Sequence, residues 1–156
     1  MQDERFVQEV HELEGTLYRI ARTFLRSDAD CCDAVQEALT KAWKHRECIK
    51  PERFRAYLTR ILVNECHNIG RQRARVTVVE EIPERTEEKG DGLEVQDALM
   101  RLKREDRLIL VMVYMEEFRL KEAASVLHMP LGTVKYRLFR ARKAFKHEWN
   151  EGGART

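Results

Sequence analysis

The chain has 156 residues, 43% of them hydrophobic and 36% charged. That allows one ordinary domain or two small ones with heavily charged outer faces. Seven Gly and three Pro are too few for a turn-rich β fold and favour helices. The net charge of +2 hides an asymmetry: residues 1–75 carry 14 Lys/Arg against 12 Asp/Glu, 76–94 carry 2 against 7, and 95–156 carry 13 against 8.

A basic C-terminal part behind an acidic connector favours a polyanionic partner, a solvated charged face being the plainer reading. Residues 1–14 are acidic and lack the apolar run of a signal peptide. No stretch approaches the roughly 20 apolar residues that cross a bilayer. These features predict a soluble, cytoplasmic chain with no membrane contact of its own. Cys31 and Cys32 are adjacent, Cys48 and Cys66 are isolated, and no C-x-x-C occurs. Neither a zinc site nor a disulfide framework is indicated, although Cys66-His67 is one possible ligand pair.

In chain order, Phe6, Val10, Leu13, Leu17, Ile20 and Phe24 recur at steps of four and three, the stripe of a first helix. Ser27-Asp28 offers the N-cap of a second. Its apolar side holds Cys32, Val35, Leu39 and either Trp43 or Ala42. Residues 46–51 break the pattern, and Pro51 suits the first turn of a third helix bearing Phe54, Leu58, Ile61 and Leu62 and running to about Arg73. Such helices bury their stripes only against one another, so they form a small bundle over 1–75. The segment 76–92 holds Glu80, Glu81, Pro83, Glu84, Glu87, Glu88, Gly90 and Asp91. It has too little apolar surface to order its backbone and reads as a flexible acidic linker. A second domain, 93–150, opens with a short helix on Val95, Leu99 and Leu102, then a mostly buried helix over 106–114. The fold class is all-α, with two small helical domains joined by the linker.

Residues 120–142 predict a helix-turn-helix. Leu120–Leu127 is a short helix whose Ala123 and Ala124 allow a close crossing. His128-Met129-Pro130 ends it, and Pro130 sits where the next helix starts. In that helix Val134, Leu138, Ala141 and Phe145 form the inner stripe. Lys135, Arg137, Arg140, Arg142, Lys143 and Lys146 occupy the remainder, and no acidic residue occurs between Thr133 and His147. An apolar stripe with a wholly basic outer side suits the major groove, and the N-terminus near Gly132 and Thr133 can donate N–H groups to a phosphate. No catalytic constellation, Gly-rich phosphate loop or cofactor motif is present, so no catalytic, metal or cofactor residue is assigned.

The run Lys121-Glu122-Ala123-Ala124…Leu127…Pro130-Leu131-Gly132-Thr133-Val134-Lys135…Arg137-Leu138…Arg140-Ala141-Arg142 resembles the C-terminal DNA-binding region of bacterial sigma factors of the extracytoplasmic-function group, in the sigma-70 family. Asp33-Ala34-Val35-Gln36-Glu37-Ala38-Leu39…Ala42-Trp43 and Phe54-Arg55-Ala56-Tyr57-Leu58…Ile61…Asn64 resemble the same family's core-binding and −10-reading region. The resemblance implies a factor that binds RNA polymerase core, directs promoter recognition and initiation, and is held by an anti-sigma factor. Its partners would be the β′ clamp helices and β flap of polymerase, and promoter DNA.

On this resemblance Asp33, Gln36 and Glu37 match the docking surface. The third helix and the loop Glu47-Cys48-Ile49-Lys50-Pro51 would open and hold the −10 element, with Lys50, Arg53, Arg55, Arg60, Asn64 and Arg71 as its DNA contacts. Arg73 and Arg75 are also available, but not all these residues can face one strand. Thr133, Lys135, Tyr136, Arg137, Phe139, Arg140 and Lys143 match the −35 contacts. Phe139 lies off the inner stripe, either reaching bases or packing on the preceding helix. Three departures stand out: Cys32 where an acidic residue is common, Tyr136 where a small one is usual, and His128 where Gly is common and a positive φ is tolerated. A conventional helix-turn-helix regulator would need a dimerisation or sensor domain in place of the bundle. A protein-interaction adaptor is the other alternative.

Overall fold

The computed structural model describes residues 1–76 and 92–153, and the linker expectation for 76–92 falls almost wholly outside them. All regular structure among the described residues is helical: α1 Asp3–Arg22, α2 Asp28–Lys44, α3 Phe54–Val76, α4 Gly92–Met100, α5 Arg104–Leu110, α6 Leu120–Leu127 and α7 Leu131–Gly153. The chain divides into two compact units, α1 to α3 forming one and most of the later helices the other.

In the first unit the predicted stripe of α1 faces inward, with Phe6, Leu17 and Ile20 buried and Val10, Leu13 and Phe24 half-buried. Thr23 ends the helix by donating its hydroxyl to the Ile20 carbonyl at 2.7 Å. Ser27 caps α2 as predicted, its Oγ accepting the Asp30 N–H at 3.3 Å. Asp28 and Asp30 in the first turn and Lys41 and Lys44 in the last complement the helix dipole.

The inward face of α2 is rotated from the predicted one. Cys31, Ala34, Val35, Ala38 and Ala42 are buried, Cys32 is exposed, and Trp43 is 37% exposed at the edge of the bundle. The small residues win because α2 lies against both α1 and α3, and three helices approach closely only along a seam of small side chains. Pro51 opens a single 3-10 turn, Pro51–Arg53, before α3 begins at Phe54. Phe54, Leu58 and Leu62 are fully buried, and Ile61 is half-buried.

In the second unit α7 packs on α4 and α5. Ala98, Leu99, Leu108, Ile109, Met112, Val134 and Ala141 are buried. The predicted 106–114 helix does not stay α-helical. At Val111–Met115 it widens into a π turn, where the Glu116 N–H reaches back five residues to the Val111 carbonyl at 2.9 Å. The inserted residue keeps Val111 and Met112 inside while Tyr114 and Met115 face out.

Leu58→Ala is expected to destabilise the first unit by about 3 kcal/mol, because a fully buried leucine leaves a cavity. Urea unfolding followed by Trp43 fluorescence in a Trp149→Phe background measures this.

Candidate nucleic-acid interface

Two surfaces collect the predicted DNA contacts. On α3, Arg60, Asn64 and Arg71 recur at steps of four and seven and share one outward stripe, and Arg53 is exposed in the 3-10 turn that leads into it. The buried Leu58 and Leu62 lie on the opposite side. Arg53, Asn64 and Arg71 are exposed and Arg60 is half-buried. Tyr57, half-buried, lies on the same stripe, and the heptad spacing around it was the available signal. Arg55 is turned off the stripe and half-buried, its carbonyl accepting the Thr59 hydroxyl at 2.7 Å. Arg73 is committed elsewhere, making a two-pronged pair with the nearly buried Asp30 at 2.7 and 3.1 Å. The hydrogen bonds to Asp30 push the Arg73 pKa up.

Lys50 is exposed in the loop between α2 and α3. This loop is two successive 3-10 turns, Arg46–Cys48 and Pro51–Arg53, folded around the buried Ile49. Asp33, Gln36 and Glu37 are exposed on α2. Asp33 and Glu37 line an open groove of about 700 Å³ together with Glu65, Asn68, Arg71 and Gln72. Two of the three polymerase-docking candidates and one −10 candidate therefore share a wall. Lys41 pairs with Glu65 across α2 and α3, and that hydrogen bond raises the lysine pKa.

On α7, Val134 and Ala141 are buried and Leu138 and Phe145 half-buried, the inner stripe read from sequence. Opposite it stand Tyr136, Arg140 and Lys143, all exposed. The Arg140 guanidinium lies 5.9 Å from the Tyr136 ring centroid. Thr133 and Lys135 are exposed near the helix start, where the first N–H groups lack intrahelical partners. Arg137 is half-buried and turned to the other flank, tied to Glu105. Phe139 is 54% exposed and walls an apolar groove of about 620 Å³ with Val95, Leu99, Leu110, Tyr114 and Met115. The π turn therefore supplies part of this groove, and Phe139 belongs to its rim.

The corner between α6 and α7 is tight. Glu122 reaches back to accept the Arg119 N–H at 3.1 Å, and Ala123 is fully buried. His128 adopts the left-handed region, φ 55° and ψ 44°, where sequence places a residue less tolerant than Gly. The Pro130 carbonyl then accepts the Val134 N–H at 3.1 Å, opening α7.

The cysteines differ in environment. Burial pushes the Cys31 thiol up to about 11. Cys32 and Cys48 are exposed, and Cys66 is buried beside His67, whose ring sits edge-on to Phe24 at 5.5 Å.

The family models for sigma-70 region 2 and sigma-70 region 4 match residues 10–76 and 92–145 of the chain. The chain is 34% identical over 132 residues to the ECF RNA polymerase sigma factor SigM of Mycobacterium tuberculosis, covering 81% of this chain and 67% of that protein. It is 31% identical over 150 residues to the RNA polymerase sigma-E factor of Streptomyces coelicolor, covering 92% and 85%. Its fold is similar to the sigma factor RpoE solved with the anti-sigma factor NepR from Bartonella quintana, with a TM-score of 0.78, 25% identity and coverage of 93% and 96%. CnrH, solved with the cytosolic domain of CnrY, gives a TM-score of 0.73 at 27% identity over 94% and 88%.

Two outcomes follow from these environments. His128→Gly should stabilise α6 and α7 by roughly 0.5–1 kcal/mol, since relief of the left-handed penalty exceeds glycine's extra unfolded-state entropy; slower amide hydrogen exchange in both helices is the readout. Iodoacetamide at about pH 8 should modify Cys32 and Cys48 in the native protein and spare Cys31, whose thiolate fraction is small there. Mass spectrometry that finds Cys31 labelled as fast as Cys32 contradicts its burial.

Proposed function

The chain belongs to the extracytoplasmic-function group of the sigma-70 family, and from that membership we propose how its two units divide the work of promoter recognition. It is a sigma factor, a transcription initiation factor that binds RNA polymerase core and promoter DNA. The proposal concerns which side chains do each part. Asp33, Gln36 and Glu37 on α2 dock on the β′ clamp helices. The loop around Ile49 with Lys50 and Arg53, and the outward stripe of α3, Tyr57, Arg60, Asn64 and Arg71, receive the opened −10 strand. Basic side chains hold the backbone, and the tyrosine ring offers a stacking face for an unpaired base. Arg55 contributes less, because its place off the stripe points it elsewhere.

In the second unit, α7 enters the major groove at the −35 element. Tyr136, Arg140 and Lys143 lead, Thr133 and Lys135 hold phosphate near the helix start, and Arg137 and Phe139 lie on the flanks. Tyr136 in a base-facing position replaces a small side chain with a ring that can meet a thymine methyl. The apolar groove beside Phe139 takes the β flap, since it presents surface that DNA phosphates would not cover.

The relatives RpoE and CnrH were solved bound to NepR and to the cytosolic domain of CnrY. By analogy an anti-sigma factor holds this chain until a signal releases it. The work is cytoplasmic and requires no catalytic group, because polymerase performs the chemistry. No helix among the described residues is long and apolar enough to cross a membrane.

The observation that carries this reading is the pair of outward, acid-free stripes, one on α3 and one on α7, each backed by a buried face. The chain mixed with sigma-free polymerase core should give run-off transcripts from promoters of the source genome; no stable core complex would sink the proposal. Lys135→Ala with Arg140→Ala should abolish dependence on the −35 sequence while core binding persists. Lys143→Ala should lower the salt slope of promoter binding by about one.

A further inference from the structure

The 45–53 loop is held from behind by one side chain. The Arg46 guanidinium lies over the Trp43 ring, 3.8 Å from its centroid. Its Nε donates to Asp3 Oδ1 at 2.6 Å, and one Nη donates to the Trp43 carbonyl at 3.0 Å. The Arg46 side chain is only 24% exposed. Behind the stack, Trp43 meets Phe6 edge-on at 5.1 Å, and Phe6 meets Phe54, the first residue of α3, at 5.3 Å.

The Arg46 carbonyl also accepts the Ile49 N–H at 3.3 Å, closing the first turn of the loop. One residue thus joins the start of α1 to the end of α2, and through the rings to the start of α3. A lysine would keep the charge but lose both the planar stack and the forked donors.

We propose that Arg46 is the positioning residue of this loop: stacked on Trp43 and tied to Asp3, it holds residues 45–53 in the shape that receives the −10 strand, without touching DNA itself. The inference rests on the reading of that loop as a −10 contact. The Arg46 side chain is only 24% exposed and already spends two N–H donors inside the protein, which turns it toward the fold and not toward a strand. Lys50 and Arg53, by contrast, are exposed on the loop. A loop set in advance presents its polar edges at fixed positions, and small displacements of such groups cost large factors in rate.

The test uses the full chain assembled with sigma-free polymerase core, as wild type, Arg46→Ala, Arg46→Lys and Lys50→Ala. Core affinity, permanganate reactivity of the −10 region and the salt slope are measured on a promoter and on its copy with a substituted −10 element. Arg46→Ala should lower open complexes about tenfold and erase most of the discrimination between the two templates. Core affinity should stay within about twofold and the salt slope should not change. Arg46→Lys should recover only part of the loss, and Lys50→Ala should reduce the slope by about one.

Full −10 discrimination in Arg46→Ala overturns the proposal. So does a slope reduced by about one, which would make Arg46 a phosphate contact, or a loss of core affinity in proportion to open complexes, which would make it merely structural. Should Arg46→Ala fail to fold, Asp3→Asn carries the test: it keeps the stack, and about a threefold fall in open complexes is expected, with no fall overturning the proposal. Failure of the parent reading looks different, since wild type itself would then ignore the −10 substitution.

Discussion

Ala34, Ala38 and Ala42 stand at four-residue steps on α2 and have no exposed surface. That seam of methyl groups governs the first unit, because it sets how closely α2 can lie against α1 and α3. A larger side chain at any of the three would force the helices apart, and an interior packed to crystal-like density transmits such a change. The seam also decides what α2 shows to the outside. With the alanines inward, Asp33, Gln36 and Glu37 are carried on the exposed side of a rigid helix, and the loop that follows α2 leaves from a fixed end.

Charge completes what packing begins. Asp30 and Glu65 each have carboxylates only 10% exposed, and each is paired across α2 and α3, with Arg73 and Lys41. A buried carboxylate without its cation is strongly unfavourable, so these pairs act as registry pins more than as a source of net stability. Both cations reach solvent, which screens the attraction. The consequence for function is selective. An arginine that looks available for phosphate is spent on the fold, while Arg71, two residues before it, stays exposed at the groove it shares with Asp33 and Glu37.

The second unit shows the same logic with less regular geometry. A left-handed histidine makes the corner, and a π turn adds one residue to what would otherwise be a continuous buried helix. Both depart from the lowest-energy local choice. The π turn is tied to the apolar groove through Tyr114 and Met115, which it presents beside Phe139. The irregularity thus exposes apolar surface beside a basic helix.

Helix identity, the Ser27 cap, the inner stripes of α1, α3 and α7 and the basic outer side of α7 were legible in sequence, because each rests on periodicity or local hydrogen bonding that neighbouring residues supply. The family was legible for a related reason: its motifs are short runs of contiguous residues. Three things needed the tertiary structure. The inward face of α2 turned on which residues tolerate two close neighbours, so Ala34 and Ala38 took the place of Cys32, and of the two alternatives Ala42 faces in more fully than Trp43. The partners of Arg73, Arg137 and Arg46 lie 43, 32 and 43 residues away along the chain, at Asp30, Glu105 and Asp3. No local pattern separates an arginine that binds phosphate from one that binds a distant carboxylate. The π turn likewise has no reliable sequence signature, since it arises where buried residues on either side demand two different helical faces from one segment.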